Sequence, residues 1–143
     1  MDAAQSRFMA LDYGLSRIGV AISDELGLLA HPRPFVPAKP PARALRQIKA
    51  FVLEEGVSQV LVGLPLNMNG SEGLSARRAR KFATEVEQAV GRRVHLVDER
   101  LTTVAAQGLL HDAGRKAKDS RAHIDSASAA LLLQSWLDGR RST

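Results

Sequence analysis

Acidic residues stand at three separated points of the chain, each at the edge of an apolar segment. They are Asp12, the adjacent Asp98 and Glu99, and Asp125. A carboxylate in such a place is costly to bury unless a cation or a hydrogen-bond donor satisfies it. Carboxylates that meet in a fold repel one another, and hard divalent cations that act on phosphates are held by a few such groups. The pattern therefore predicts a metal site, even before any substrate is considered.

Each of these acids also has an ordinary structural interpretation. Asp12 precedes the turn 13–16, where Asp often bonds to its own backbone, and an acid early in a helix, such as Asp125, is favoured by the helix dipole. Adjacent residues of a strand point to opposite faces, so only one of Asp98 and Glu99 can share a cleft with Asp12. The spacing alone leaves open which of the two it is.

The elements that position these acids follow from the spacing of apolar residues. Short apolar runs predict buried strands, and a run interrupted by Pro32 and Pro34 predicts an edge strand. The predicted strands cover 8–11, 18–22, 28–36, 57–63 and 93–97. Apolar residues three and four apart predict helices over 41–55, 75–90, 101–111 and 124–137. A polar loop, 64–73, follows the fourth strand, and ligands of open α/β sheets bind at such strand ends.

Cations are concentrated in two other segments. The chain carries 20 Lys and Arg against 15 Asp and Glu, a net charge of +5 with a pI near 10.2. The second predicted helix opens with a basic cluster, although acids are the stabilising choice there. The cluster is Arg77, Arg78, Arg80 and Lys81, and the polar segment 112–123 carries Arg115, Lys116, Lys118 and Arg121. Both clusters would suit a nucleic-acid backbone, and both would also suit a plain solvated surface.

Composition bounds the class of protein. A chain of 143 residues has the usual size of one domain, and we expect a single domain over 1–143 with flexible ends at 1–6 and 139–143. The absence of Cys excludes disulfides, thiolate metal sites and cysteine nucleophiles. No apolar run approaches the roughly 20 residues of a membrane span, and the first residues lack the apolar core of a signal peptide. We therefore expect a cytoplasmic protein without a membrane partner.

Five separated segments of the chain form a recognisable set: ALDYGLSRIGVAISD, VGLPLNMNGSEG, RARKFA, DERLTT and HIDSASAALLLQSWL. In order and spacing they resemble the YqgF family, also called RuvX. These bacterial proteins of the RNase H-like superfamily are related to the RuvC Holliday junction resolvase and are assigned as nucleases for the 5′ end of pre-16S rRNA. The resemblance implies an α/β RNase H-like fold, whose five-stranded mixed sheet has three antiparallel strands followed by two parallel ones, with helices on both faces. It also implies a hydrolase, a metal-dependent nuclease of rRNA processing in ribosome biogenesis.

The resemblance assigns roles to individual acids. It implies that Asp12, Glu99 and Asp125 are the catalytic acids and metal ligands, with Asp98 as the alternative to Glu99. Glu99 is preferred because a Glu ends the corresponding strand of the related resolvases. Two ions, Mg²⁺ or Mn²⁺, are expected between these acids. The resolvases have a further acid one turn into the last helix, where this chain has Ser128, so only three acids are available.

Contacts with nucleic acid are expected from cations and polar residues around the acids. They are Arg77, Arg78, Lys81, Arg100, Thr102, Arg115 and Lys116, with Asn67 at the rim of the cleft. The expected partner is structured RNA or branched DNA, and both monomer and homodimer stay open. So do two alternative functions: a Holliday junction resolvase, and a nucleic-acid-binding protein without catalysis. A sugar-kinase-like or actin-like ATPase also opens with Asp-x-Gly, but it normally needs two such domains and far more chain.

Overall fold

A five-stranded mixed sheet forms the centre of the computed structural model, which describes residues 6–101 and 126–141. Its strands are β1 Arg7–Tyr13, β2 Arg17–Ser23, β3 Ala30–Pro37, β4 Val57–Leu64 and β5 Arg93–Asp98. Their order across the sheet is β3, β2, β1, β4, β5. β1, β2 and β3 are antiparallel neighbours, whereas β4 is parallel to β1 and β5 is parallel to β4. The implied arrangement of three antiparallel and two parallel strands is confirmed.

β3 lies at one edge of the sheet, as its prolines predict. Among the described strands it pairs only with β2, and Pro32 and Pro37 stand opposite Ala21 and Arg17. Pro has no N–H to donate, so a central strand would lose ladder hydrogen bonds at these positions. The turn between β1 and β2 is closed by the N–H of Gly14, which donates to Arg17 O at 2.9 Å. The predicted turn over 13–16 and the predicted edge strand are both confirmed.

The described helices are α1 Pro41–Glu55, α2 Leu74–Val90 and α3 Ala127–Arg141. α1 and α2 end at Gly56 and Gly91, which take the left-handed conformation with φ of 65°. Gly adopts this conformation without the steric penalty of a Cβ, and its N–H then bonds to a carbonyl of the last turn. α3 continues to Arg141, past the predicted end at Leu137. No helix in the described ranges is long and apolar enough to cross a membrane.

Two predicted segments cannot be compared with the structure. The helix predicted over 101–111 lies outside the described residues from 102 onwards, and the polar segment 112–123 lies outside them entirely. At residue 101 the structure has the end of a 3₁₀ turn, Glu99–Leu101, which follows β5 directly. The chain therefore leaves β5 through a tight turn.

Apolar side chains cover both faces of the sheet, so the central strands are buried on two sides. On one face α1 and α2 pack over a core to which β1 contributes Met9 and Leu11. On the other face α3 packs over a second core to which β1 contributes Phe8 and Ala10. Side chains of a strand alternate between the faces, so Asp12 continues the series of Phe8 and Ala10. Asp12 therefore belongs to the face that α3 covers.

Two buried polar side chains fix α3 to the sheet. Ser126 Oγ accepts a hydrogen bond from the N–H of Val20 at 3.0 Å, where the pairing of β2 with β3 shifts register. Gln134 Oε1 accepts from the N–H of Ala30 at 2.9 Å, and its Nε2 donates to Leu28 O at 3.0 Å. A buried polar group that loses its partner costs about 1–3 kcal/mol. These bonds therefore favour one position of α3 over β2 and β3.

Candidate active site

Asp12 lies near the carboxyl end of β1, opposite Gly19 of β2. Its side chain is half-buried, and that burial raises the pKa of the Asp12 carboxyl. A hydrogen bond with Glu99 acts in the opposite direction and is the weaker of the two effects. The turn that follows Asp12 is closed by a bond between backbone groups, from the N–H of Gly14 to Arg17 O. The hydrogen bond of the Asp12 side chain is made with Glu99.

Glu99 begins the 3₁₀ turn after β5, and its side chain lies against the backbone of β4 at Gly63. A Cβ at Gly63 would stand 3.0 Å from both Cγ and Cδ of Glu99, which is closer than ordinary van der Waals contact. Leu11 of β1 stands opposite Val62 of the parallel strand β4, so Gly63 is next to Asp12. The missing side chain of this glycine creates the space in which the two acids meet.

Asp12 and Glu99, here called the acid pair, share a proton. Burial, the charge of Asp12 and the hydrogen bond to Asp12 together raise the pKa of Glu99 to about 7, and Asp98 adds a smaller repulsion. The two carboxyl groups are joined by a hydrogen bond that raises the pKa of Glu99 and lowers that of Asp12, and such a bond requires that one of the two groups carry a proton. Two acids in one half-buried place resist ionising together unless a cation joins them. The acid pair is therefore a place for a proton or a positive ion.

Asp98 lies apart from the acid pair and is neutralised by Arg100. The Arg100 guanidinium bonds to both carboxylate oxygens, with a shortest distance of 2.8 Å, and the Arg100 N–H donates to Asp98 Oδ1 at 2.9 Å. These bonds lower the pKa of Asp98. Asp98 stands opposite Leu64, whose side chain packs on the face of α1 and α2. Of the two adjacent acids, the structure brings Glu99 to Asp12.

The loop between β4 and α2 is held by its own polar groups and by Arg100. The N–H of Asn67 donates to Ser71 O at 2.9 Å, and Asn67 Nδ2 donates to Ser71 Oγ at 2.9 Å. Arg100 donates to the carbonyl oxygens of Met68 and Asn67 at 3.1 and 3.4 Å. The guanidinium of Arg100 therefore joins the end of β5 to this loop.

The predicted phosphate-binding residues of α2 are exposed: Arg77, Arg78 and Lys81. None of the three forms a salt bridge with another described residue, whereas Arg80 forms two bonds of 2.7 Å with Glu72. α2 packs on the face of the sheet opposite to the acid pair. α2 begins after the carboxyl end of β4. Its first turns and the acid pair therefore lie at the same end of the sheet, on opposite faces.

The other predicted site residues lie outside the described residues: Asp125, Thr102, Arg115 and Lys116. Ser126, which follows Asp125, is bonded to β2 one residue from Gly19, the partner of Asp12. Within 6–101 and 126–141, no group of three His, Cys, Asp or Glu side chains is placed to hold a metal ion. Participation of Asp125 as a third acid therefore stays a prediction.

Two residues that shape the site are not among those predicted from the sequence. Gly63 ends the strand-forming run VSQVLVG, and a Gly in a strand often marks the close approach of another group. Ser126 is a fully buried polar residue at the start of an apolar helix, and such groups need a hydrogen-bond partner. Both signals are present in the sequence, but neither says which group will approach.

The order and directions of the five strands, with helices on both faces, define an RNase H-like fold. The structure of RuvC from Thermus thermophilus in complex with a Holliday junction substrate matches with a TM-score of 0.57, covering 96% of this chain and 97% of RuvC at 16% identity. The Holliday junction resolvase of fowlpox virus matches with a TM-score of 0.56, covering 93% and 99% of the two chains at 10% identity. At such identities the likeness concerns the fold.

The sequence itself places the chain more narrowly. The family model of RuvX, described as Holliday junction resolvase, matches residues 6–139. A protein of Chloroflexus aurantiacus is 46% identical over 134 residues, which is 94% of this chain and 88% of that protein. A protein of an Anaeromyxobacter species is 44% identical over 136 residues, 95% and 99% of the two chains. Both are named as candidate pre-16S rRNA nucleases. The chain belongs to the RuvX family and is a nuclease, as the resemblance implied.

Proposed function

We propose that this protein is a metal-dependent endonuclease that hydrolyses phosphodiester bonds of structured nucleic acid, with the 5′ end of the 16S rRNA precursor as its substrate. The observation that carries the proposal is the acid pair, seated on Gly63 where β1 and β4 end. Two carboxyl groups that share one proton in a half-buried place gain more from a divalent cation than from separate ionisation. The names of the curated relatives support this choice of substrate.

The donors of the acid pair fit hard divalent cations. Carboxylate oxygens are the ligands that Mg²⁺ and Mn²⁺ prefer, and both acids can supply them once the shared proton leaves. Asp12 and Glu99 would hold the metal together with Asp125, and Asp12 is the expected ligand shared by two ions. When bound, divalent ions supply an activated water and stabilise charge on the attacking and leaving oxygens of the phosphodiester.

The chain's own residues position the substrate. Arg77, Arg78 and Lys81 are available for phosphates because none of them forms a salt bridge with a described carboxylate, and Arg115 with Lys116 would extend this contact. Phosphate contacts fix register without reading sequence, so this surface suits a substrate chosen by its shape. The expected consequence is binding that weakens steeply with salt.

Residues at the edge of the sheet would shape the cleft between these cations and the acid pair. Arg100 already holds the loop that carries Asn67, and its remaining donor capacity could reach a phosphate at the rim. Thr102 follows the 3₁₀ turn and is proposed as a further rim contact. By holding the loop, Arg100 would also keep the backbone beside the acid pair in one conformation.

A second candidate function is resolution of four-way DNA junctions. It is favoured by the description of the family model and by the fold shared with a resolvase solved on a junction. Two paired cuts call for two active sites, so this function would require a two-fold homodimer, whereas a single cut in rRNA can be made by a monomer. Either activity would take place in the cytoplasm.

Cleavage of the two substrates by one preparation tests the proposal. Purified protein is incubated with a transcript spanning the precursor and mature 5′ ends of 16S rRNA, or with a four-way DNA junction, in Mg²⁺, Mn²⁺ or chelator. We expect metal-dependent cleavage of the transcript, and loss of at least about 1,000-fold in Asp12→Asn, because a metal ligand is removed while the shape is kept.

The matched control is Glu54→Gln, which alters an exposed acid of α1 far from the acid pair. It should cleave like the wild type. Cleavage of the junction alone, by a dimer, would favour the resolvase. Tight binding of either nucleic acid without metal-dependent cleavage would instead show a binding protein whose acids are silent. Unchanged activity in folded Asp12→Asn would contradict the assignment of the acid pair.

A further inference from the structure

A groove of about 280 Å³ opens on the face of α1 and α2, beside the turn between β1 and β2. Tyr13 and Phe82 line it with stacked rings whose centroids are 4.6 Å apart. Leu15 of the turn and Leu45 of α1 add apolar walls. Sites for small molecules commonly measure about 300–1,000 Å³, and the volume of the groove lies at the lower end of this scale. A groove of this volume can hold one flat ring system but not a folded partner.

The charged residues at this groove indicate which chemical groups a ligand would carry. Arg78 and Lys81 stand at it one turn apart on α2, both exposed and neither in a salt bridge with a described residue. Arg80, on the same helix, is already paired with Glu72. Glu85, the next charged residue along the groove, offers a carboxylate acceptor. Aromatic rings, cations for phosphate and a polar acceptor are the groups that bind unpaired nucleotides.

One residue that lines the groove is the direct neighbour of a residue of the acid pair. Tyr13 directly follows Asp12 on β1, and successive side chains of a strand point to opposite faces. Asp12 therefore turns towards the face of α3 and Tyr13 towards the groove, on the two sides of the carboxyl end of β1. A strand of nucleic acid held at the acid pair would reach the groove by crossing this end of the sheet.

We propose that the groove binds one unpaired base of the nucleic-acid substrate, close to the bond that is cut. The base lies against Tyr13, while Arg78 and Lys81 bind the phosphates that flank it. This inference rests on the proposed function, because it takes nucleic acid as the substrate. It adds a requirement that phosphate contacts alone do not impose: the substrate must present an unstacked base beside the cleavage site. A continuous duplex is therefore a poor ligand.

Binding of RNAs that lack single bases tests the groove without cleavage. The probe is a hairpin RNA with a single-stranded 5′ extension, where the hairpin fixes the register, made with an abasic residue at each extension position in turn. Binding is measured in chelator, so that no bond is cut. We expect one position at which loss of the base weakens binding by the wild type about 10-fold or more, in the range of aromatic stacking on a base.

The variants assign that effect to the groove. Tyr13→Leu should bind the intact RNA as weakly as the wild type binds the RNA abasic at that position, and it should lose nothing further when the base is removed. Tyr13→Phe keeps the ring and should behave like the wild type. The control is Phe35→Leu, which removes an aromatic ring from the edge strand β3 and should keep the full abasic effect.

Photocrosslinking gives a second readout that needs no variant. The same RNA carries 4-thiouridine at each extension position, and crosslinked peptides of the wild type are identified by mass spectrometry. Crosslinks to the peptides that contain Tyr13 or Phe82 support the proposal. An abasic scan without a sensitive position, or crosslinks confined to other peptides, overturns it and leaves the groove to some other ligand. Because metal-dependent cleavage is measured separately, either result leaves the proposed nuclease function standing.

Discussion

Asp98 and Glu99 are neighbours in the chain but lie in opposite electrostatic environments. Arg100 holds the carboxylate of Asp98 through bonds of 2.8 to 3.2 Å and lowers its pKa. Glu99 lies half-buried against Gly63 and faces Asp12, and its pKa is raised to about 7. The protein itself supplies the positive charge for the first acid. The second acid has only a proton that it shares with another carboxyl group.

The difference distinguishes an acid that supports structure from an acid suited to bind a cation. The charge of Asp98 is already balanced, so a further cation would gain little there. The charge of Glu99 is opposed by burial and by Asp12, so a cation would relieve an unfavourable interaction that the fold maintains. The end of β5 therefore serves two purposes. Asp98 and Arg100 hold the nearby loop, and Glu99 completes the acid pair.

Within this comparison, the largest expected effect separates the two acids directly. Glu99→Gln should lower metal-dependent cleavage about 100-fold or more, because it removes one of the two carboxylates that we propose hold the metal. Asp98→Asn should lower it less than about 10-fold, because it only loosens the contact with Arg100. Rates under single-turnover conditions, with circular dichroism to check folding, measure both. If Asp98→Asn proves the more damaging, the metal ligand has been assigned to the wrong acid.

A smaller effect is expected from filling the space under Glu99. Gly63→Ala places a Cβ at 3.0 Å from Glu99 Cγ and Cδ, so the carboxyl group must move. A displacement of about 1 Å can lower a rate about 100-fold, and we expect a loss of 10- to 100-fold with the fold retained.

The matched control for this substitution is Gly139→Ala in α3, where an added Cβ meets nothing within 4 Å. Ala is the better helix former, so this variant should keep its activity and gain about 0.5–1 kcal/mol of stability. Full activity in Gly63→Ala would show that the position of Glu99 against β4 is unimportant for cleavage.

The pH dependence of stability should also differ between the two acids. The raised pKa of Glu99 means that the folded, metal-free protein holds its proton more tightly than the unfolded chain. Its stabilising contribution is therefore full below about pH 4.5 and is lost as pH rises through about 7. After allowance for solvent screening of this half-exposed group, the change is of order 1 kcal/mol. Asp98 has the opposite sign, because its lowered pKa gives stability that is lost on acidification.

Chemical denaturation in chelator between pH 5 and pH 8 measures these contributions. The difference in stability between wild type and Glu99→Gln should change across this range, whereas the difference between wild type and Asp98→Asn should stay flat. Added Mg²⁺ should stabilise the wild type more at pH 8 than at pH 5.5, because it competes with the shared proton. A stabilisation by Mg²⁺ that is independent of pH would argue against metal binding at the acid pair.

The smallest expected effect concerns the exposed cations in the first turns of α2. Arg77→Ala combined with Lys81→Ala should weaken binding to different nucleic-acid sequences about equally. It should also flatten the dependence of log affinity on log salt by roughly 0.7 to 0.9 for each lost phosphate contact. The residues are four apart on α2 and therefore project from one side of the helix.

The control for the α2 cations is Arg43→Ala combined with Arg46→Ala on α1, which removes the same charge from exposed positions. Its salt slope should match that of the wild type. Titrations of binding at several salt concentrations compare the three proteins. Superimposable slopes for all of them would remove the first turns of α2 from the binding surface without affecting the acid pair.

Most of the secondary structure could be predicted from the sequence because its causes are local. The β-branched run Ile18 to Ile22 forms β2, the prolines of 28–36 restrict β3 to an edge, and Gly56 and Gly91 end their helices. Strand alternation also predicted that only one of the acids after β5 could reach Asp12. Each of these predictions depends on residues that are close together in the chain.

Local sequence patterns are enough to indicate which elements form, which acids are available and which family the chain resembles. They do not show that Glu99 is the acid that meets Asp12, that Gly63 makes room for it, or that the α2 cations stand on the other face of the sheet. These three facts depend on pairing between strands that are far apart in the chain. Alternation relates neighbouring side chains to each other, but only the register of β1 with β4 and of β4 with β5 places them against a distant partner.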